Sequence, residues 1–186
     1  MRTLGARSEL IYLRLLFFTF GLGIMSWVPR FPEVKAGLHL TNGGFGSLIS
    51  TGSLGSLISL LTVGHVVHRI GVKKVLHVAS FCLMATLIIL SSTHSAVVFF
   101  FANIFFGAAI SAFHIAINSQ GFNYQDRTGK FVITQLSGLW SAGALITAFI
   151  SGFLVDRVSL HVHIAALVIV IFIIQTILLN ALSPVL

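Results

Sequence analysis

Polar residues recur at helical spacing in the fourth apolar segment of this chain. Their intervals of 4, 4, 3 and 4 residues place them on one stripe of a helix: Asn103, Gly107, Ser111, His114 and Asn118. A polar stripe on a membrane-spanning helix is expected to face the bundle interior or a water-filled cavity. Because histidine exchanges protons near neutral pH, His114 can carry a proton. The alternative is a histidine that only hydrogen-bonds between helices.

The composition is that of a protein built for lipid. Hydrophobic residues make up 56% of the chain and charged residues 8%, with a mean hydropathy of +1.03. A soluble domain carries about 25% charged residues. The net charge of +7 comes from basic residues scattered singly between apolar segments, which is not the basic face of a nucleic-acid-binding protein. A single cysteine, Cys82, excludes a disulfide framework.

Six apolar stretches are long enough to cross a membrane, since a helix of about 20 residues spans a ~30 Å hydrocarbon core. The predicted spans are 11–28, 44–67, 74–92, 96–118, 132–155 and 162–183. The first is not followed by a small-residue cleavage site and is expected to remain as a helix rather than to be removed as a signal peptide. The sequence predicts an all-α membrane protein of six transmembrane helices.

The basic residues predict the orientation of the helices, because Lys and Arg accumulate in cytoplasmic loops. Eight lie at the N-terminus or in the second and fourth loops: Arg2, Arg7, Arg14, Arg69, Lys73, Lys74, Arg127 and Lys130. Three lie on the opposite side: Arg30, Lys35 and Arg157. Both termini are therefore predicted to be cytoplasmic, and the expected location is a bacterial inner membrane.

The second and fifth apolar segments repeat the same residues in the same order. Aligned without a gap, residues 46–69 and 134–157 are identical at 8 of 24 positions. An offset of three helices is typical of transporters whose halves are built from two triplets of inverted topology. We therefore expect a 3+3 inverted repeat, with one copy over 11–92 and the other over 96–183.

The loop after the second span carries the strongest local motif, GHVVHRIGVKK, from Gly64 to Lys74. It resembles the signature cytoplasmic loop of the major facilitator superfamily, in which a glycine is followed by Asp-Arg, a second glycine and basic residues. The matching positions are Gly64, Arg69, Gly71 and Lys73, and Lys74 extends the basic end. The resemblance implies a gating loop. His68 stands in place of the usual aspartate, and Val72 in place of the first basic residue.

Three further patches resemble the fucose-permease-like branch of that superfamily. They are SWVPRFPEVK over 26–35, GAAISAFHIAINSQG over 107–121 and GLWSAG over 138–143. In that branch a carboxylate four residues before an asparagine contributes to substrate binding and proton coupling. His114 takes the carboxylate position and Asn118 matches the asparagine. Trp27 and Trp140 can stack on a sugar-like ring, although Trp27 also suits an interfacial anchor.

The resemblance implies the amino-terminal six-helix half of a secondary active transporter, over residues 1–186. Gln135, near the cytoplasmic start of the fifth helix, is expected to line the same cavity. Such a half works in the lipid bilayer with a small solute and protons, and needs a second six-helix half as a separate chain or a second copy. A truncated product, a non-transporting membrane fragment or interaction module, and drug efflux in place of sugar uptake remain alternatives.

Neither a metal site nor an enzyme is expected. The pairs His65/His68 and His161/His163 have no third ligand in a recognised arrangement, and no cofactor is implied. Six helices are also the core of intramembrane serine proteases. Here Gln135 stands where such proteases want glycine, and topology places Ser137 and the histidines at opposite faces. A nucleophile and its base must lie within about 3 Å, so that pairing fails.

Overall fold

A computed structural model describes residues 5–182, and this part of the chain contains only helices and the connections between them. The helices are α1 (Ala6–Met25), α2 (Phe31–Gly37), α3 (Asn42–Ser50), α4 (Gly52–Ile70), α5 (Val72–Ser92), α6 (Ala96–Thr128), α7 (Ile133–Leu154) and α8 (Leu160–Ala181), with a 3-10 turn over Val28–Arg30. Arg2, which was counted for the orientation, and residue 183 of the sixth predicted span lie outside the described residues.

Six helical segments of the described residues are long and apolar enough to span a membrane. They are Ala6–Gly37, Asn42–Ile70, Val72–Ser92, Ala96–Thr128, Ile133–Leu154 and Leu160–Ala181. The prediction of an all-α protein with six transmembrane helices is confirmed, and the arrangement is consistent with half of a major facilitator fold. Helices α1, α3–α4 and α5 form the first triplet, and α6, α7 and α8 form the second.

Three predicted boundaries were wrong. The first helix begins at Ala6 rather than residue 11, and the second span is broken at Thr51 into α3 and α4. Helix α6 continues ten residues past the predicted end at 118, to Thr128. It continues because Gln120 and Tyr124 remain buried one turn apart, so packing extends beyond the apolar run. Gly129, in the left-handed conformation at φ 69°, then ends the helix.

The bundle is held together by two pairs of closely approaching helices. Helix α4 packs mainly on α6, and α1 packs mainly on α7. A β-carbon at Gly55 would overlap the backbone carbonyl of Ile104, and one at Gly143 would overlap the carbonyl of Phe18. Glycine at these positions lets the helix backbones touch, which is how helices associate in lipid.

These contacts follow the sequence repeat. Gly55 and Gly143 are identical positions of the repeat, 88 residues apart, and their contact residues Phe18 and Ile104 lie 86 apart. A second pair obeys the same offsets: Gly107 lies against the Gly52 carbonyl, and Gly21 against the Trp140 carbonyl. The approach of α4 to α6 is thus reproduced by α7 and α1.

Buried polar side chains link the helices at both ends of the bundle. At one end the carboxylate of Glu9 in α1 accepts hydrogen bonds from Gln120 (3.2 Å) and Arg127 (2.6 Å) of α6. At the other end the guanidinium of Arg30, only 1% exposed, binds both carboxylate oxygens of Glu33 at 2.7 and 2.8 Å. Charge-assisted hydrogen bonds therefore join α1 to α6 at one end and hold the 3-10 turn against α2 at the other.

The Arg30 cluster also reaches the second triplet. Nη2 of Arg30 donates to the carbonyl of Val158 at 2.6 Å, and Nη1 of Arg30 lies 3.4 Å from Nδ1 of His163. Since arginine can only donate, this contact requires Nδ1 to be unprotonated. Nearby, the hydroxyl of Ser151 donates to the carbonyl of Ser26. Between the two ends, Gln175 of α8 accepts from Ser80 of α5 at 2.5 Å.

Candidate solute pathway

The predicted stripe on α6 divides into a packing part and an accessible part. Asn103 is 3% exposed, and Gly107 is buried against α4. Ser111 and Asn118 are partly exposed, and His114 is exposed. Asn103 and Gly107 therefore join helices, and only the part of the stripe from Ser111 onward can meet a solute.

Asn103 fixes the break in the second span. Its amide nitrogen donates to the carbonyls of Leu48 (3.1 Å) and Ile49 (2.8 Å) and to the hydroxyl of Thr51 (3.1 Å). Backbone carbonyls released at a helix break need a partner, because an unpaired polar group in hydrocarbon costs several kcal/mol. The expectation that Asn103 lines a pathway is thus replaced by a packing role for its amide nitrogen.

His114 lies beside α1 at the edge of an open groove. Its ring stacks against Phe20 with centroids 6.1 Å apart. No hydrogen bond to the His114 side chain occurs within residues 5–182, whereas its carbonyl accepts from Asn118 at 2.8 Å. A histidine ring that is exposed and without hydrogen-bond partners in this part of the chain is accessible for proton exchange.

The polar face continues further along α6 than the sequence analysis indicated. The groove is lined by His114, Asn118, Ser119, Asn123 and Asp126, together with Ile115 and Phe122. The residues after 118 were assigned to a loop, so their place on the same helical face was missed. At 1.5 Å per residue, Asp126 lies about 18 Å along the axis from His114. The groove thus contains the imidazole of His114 and the carboxylate of Asp126 at different positions along the axis of α6.

Gln135 joins the fifth span to the first. Its side-chain oxygen accepts a hydrogen bond from Nη2 of Arg14 at 2.9 Å. Arg14 entered the sequence analysis only as a charge that sets orientation. Its Nε is buried and has no hydrogen-bond partner between residues 5 and 182. A charged side chain inside an apolar helix marks a functional position in membrane proteins by default, and the run Leu13-Arg14-Leu15 was a signal for it.

The two tryptophans occupy different environments. Trp27 is 3% exposed and packs among Phe31, Phe99 and Phe106, with ring centroids at 4.8, 6.2 and 5.4 Å. It therefore lies inside the bundle, which corrects the expectation of an interfacial anchor or a stacking surface. Trp140 is partly exposed, and its indole Nε1 is buried without a hydrogen-bond partner in the described part of the chain. Trp140 remains the better stacking candidate.

The predicted gating loop forms a tight turn between α4 and α5. Gly71 has φ 88° and ψ 150°, a conformation that favours glycine. Lys73 donates to the carbonyls of Asn180 (3.1 Å) and Leu182 (3.2 Å), so the loop is attached to the end of α8. By contrast, a β-carbon at Gly64 would meet nothing within 4 Å, so no helix packs closely against this glycine within the described residues.

The loop residues also border α6. Gly64, His68 and Gly71 share a concave surface with Ser119, Gln120 and Asn123 of α6. His68, Arg69 and Lys74 are exposed. The predicted gating motif and the polar face of α6 therefore lie side by side at one end of the bundle. Within residues 5–182, no three His, Cys, Asp or Glu side chains form a group that could hold a metal ion.

No protein-family model matches the chain. The chain is similar to an uncharacterized MFS-type transporter of Yersinia pestis, at 28% identity over 143 residues. The matched part is 76% of this chain and 37% of that protein, so the chain spans little more than a third of its relative. The similarity extends over most of the bundle and supports a relationship to the transporters of the major facilitator superfamily.

Proposed function

We propose that this chain is a six-helix half of a secondary active transporter that moves a small polar solute together with protons by alternating access. The accessible polar face of α6 carries the proposal, because it places His114 and Asn118 in an open groove along that helix. The similarity to an MFS-type transporter supports the same function. The expected location is the bacterial inner membrane with both termini cytoplasmic, and the repeat units are 11–92 and 96–183.

In this proposal His114 carries the proton. Its ring is exposed and can bind a proton from the aqueous groove, and the resulting imidazolium attracts hydroxyl or carboxylate oxygens of a solute. Asn118, one turn away, offers an amide to the same solute. Arg14 and Gln135, hydrogen-bonded between α1 and α7, supply polar groups on the adjacent helices.

A second six-helix half is proposed to cover the most exposed apolar helices. Leu61 of α4 is 77% exposed, and Leu145 and Phe149 of α7 are 73% and 78% exposed. These two helices are also the repeat-related pair. Apolar faces of this extent mark interaction surfaces or lipid contact, and a half-transporter needs a partner to enclose a solute. The partner half is a further six-helix unit or a second copy of this chain.

Replacing His114 with alanine is expected to abolish solute-dependent proton movement while leaving membrane insertion unchanged, because the exchangeable proton is lost. The measurement uses the assembled transporter in liposomes that enclose a pH-sensitive dye. A panel of sugars, other small polar solutes and hydrophobic drugs is added in turn. His161→Ala, which removes an exposed histidine outside the groove, is the control. Equal proton movement in His114→Ala and the unaltered protein would exclude His114 from coupling, and a response to drugs alone would favour efflux.

Self-pairing through α4 and α7 predicts a specific disulfide. In a Cys82→Ser background, Leu57→Cys and Leu145→Cys introduce thiols at repeat-equivalent, exposed positions near the middle of each helix. Mild oxidation in liposomes is expected to yield a covalent dimer from this pair. Ile177→Cys with Leu145→Cys, on α8 and α7, should yield little, because α8 is outside the proposed face. If both cysteine pairs remain monomeric after oxidation, a second copy is ruled out as the partner. The partner would then be a separate six-helix unit.

A further inference from the structure

A groove runs along the outer surface of the first triplet, between α4 and α5. Both helices pack extensively on α6 but touch each other little, so a slot is left between them with α6 as its floor. We name this slot the α4–α5 groove. Its walls include Val66 and Ile70 of α4 and Val78 of α5, and its floor includes Ala108 and Ala112 of α6.

The groove is apolar and shaped by small residues on its floor. The side chains of Val66, Ile70 and Val78 are exposed on its walls. Because Ala108 and Ala112 have small side chains, the α4–α5 groove stays open, whereas larger residues at these positions would fill it. From Val75 to Cys82, which both line the α5 wall, the groove is about 10 Å long at 1.5 Å per residue. These dimensions suit an extended hydrocarbon chain.

Two basic side chains flank the end of the groove at the gating loop. Lys74 precedes Val78 by four residues and lies on the same stripe of α5, while Arg69 follows Val66 by three on α4. Both are exposed, and neither forms a salt bridge or side-chain hydrogen bond within residues 5–182. Residues 64–77 contain no Asp or Glu. Lys73, in contrast, is engaged with the carbonyls at the end of α8.

We propose that the α4–α5 groove binds an anionic membrane phospholipid, with one acyl chain between α4 and α5 and the phosphate between Arg69 and Lys74. The apolar slot and the two cations complement the two chemically distinct parts of such a lipid. Basic residues next to a transmembrane helix attract anionic headgroups, each adding about 1 kcal/mol. The proposal does not depend on transport activity, since it rests only on the surface formed by α4, α5 and α6.

Competition between lipids in a membrane of defined composition tests the proposal. The full chain is placed in nanodiscs of phosphatidylcholine with increasing phosphatidylglycerol, and the lipid retained after release is measured by native mass spectrometry. The unaltered chain is expected to retain phosphatidylglycerol preferentially. Arg69→Gln with Lys74→Gln should weaken this preference roughly 30-fold, as two cations are lost. Lys35→Gln with Arg157→Gln, an equal charge loss at the opposite end, should leave it unchanged.

The acyl chain is tested separately from the headgroup. Ala108→Leu with Ala112→Leu fills the floor while keeping both cations, and it should reduce retention of phosphatidylglycerol to that of phosphatidylcholine. Cys82 in the groove wall provides a second readout: bound phosphatidylglycerol should slow its reaction with N-ethylmaleimide severalfold. Equal retention of the two lipids, or equal losses in the control pair, would overturn the proposal. Protection of Cys82 that rises with protein density in phosphatidylcholine alone would also overturn it, because a second copy would then be the occupant.

Discussion

Gly55→Ala is expected to destabilise the bundle by about 3 kcal/mol or more, although it adds only one methyl group. The new β-carbon would overlap the carbonyl oxygen of Ile104, which belongs to the backbone of α6 and cannot turn away as a side chain can. The two helices must therefore separate, and the contacts along the whole α4–α6 interface weaken. Overpacking in a close-packed interior costs 1–3 kcal/mol and sometimes more. Equilibrium unfolding by dodecyl sulfate in mixed micelles measures the change.

Gly64→Ala is the matched control for this substitution. It lies on the same helix, but a β-carbon there meets nothing within 4 Å. Because alanine favours helix over glycine by about 1 kcal/mol, Gly64→Ala should be neutral or slightly stabilising. Gly143→Ala and Gly138→Ala form the corresponding pair on α7. Equal stability of Gly55→Ala and Gly64→Ala would show that the close approach of α4 to α6 is not present in the folded protein.

Glu33→Ala is expected to cost about 3 kcal/mol by leaving the Arg30 guanidinium buried without its carboxylate. Removing one partner of a buried ion pair costs 3–5 kcal/mol, because the remaining charge is uncompensated. We expect the lower end of this range of costs, because Glu33 is itself 33% exposed and water can reach the ion pair. The Val158 carbonyl still accepts from Arg30, but it carries no full charge. The same unfolding measurement applies.

A double substitution separates the stranded charge from simple loss of contacts. Arg30→Met with Glu33→Leu removes both charges and keeps similar volume, and such replacements are often neutral. The double variant should therefore be more stable than Glu33→Ala alone. Lys35→Ala, which breaks the exposed hydrogen bond to Asn42, should cost less than about 1 kcal/mol. A double variant less stable than the single one would show that Arg30 acts through its own contacts rather than through its charge.

Hydropathy and periodicity predicted six spans, because the length of an apolar run is a local property. The repeat between the second and fifth segments includes Gly55 and Gly143, two positions at which the structure brings helix backbones into contact. The full length of α6 could not be predicted in this way. The continuation of α6 to Thr128 depends on Gln120 and Tyr124 packing against other helices, and that burial exists only after the bundle forms.

The candidate site was predicted less well than the fold. Spacing placed Asn103 and His114 on one stripe, but it did not distinguish a side chain that hydrogen-bonds the next helix from one that faces a groove. Trp27 was misplaced because its three aromatic neighbours come from α2 and α6. Arg14 and its partner Gln135 lie 121 residues apart, so only the fold brings them together.

The break between α3 and α4 makes the second span depend on the fourth span, which supplies the amide of Asn103. At the repeat-equivalent places, α7 is unbroken and α1 has Phe17 where α6 has Asn103. The carbonyls at the break therefore belong to the first copy, and the amide that binds them comes from another helix. A chimera that received the second span from a relative with a straight helix would leave Asn103 unpaired. One that received only the fourth span, without this asparagine, would remove the amide donor from the carbonyls of Leu48 and Ile49. We therefore expect functional chimeras to exchange these two spans together.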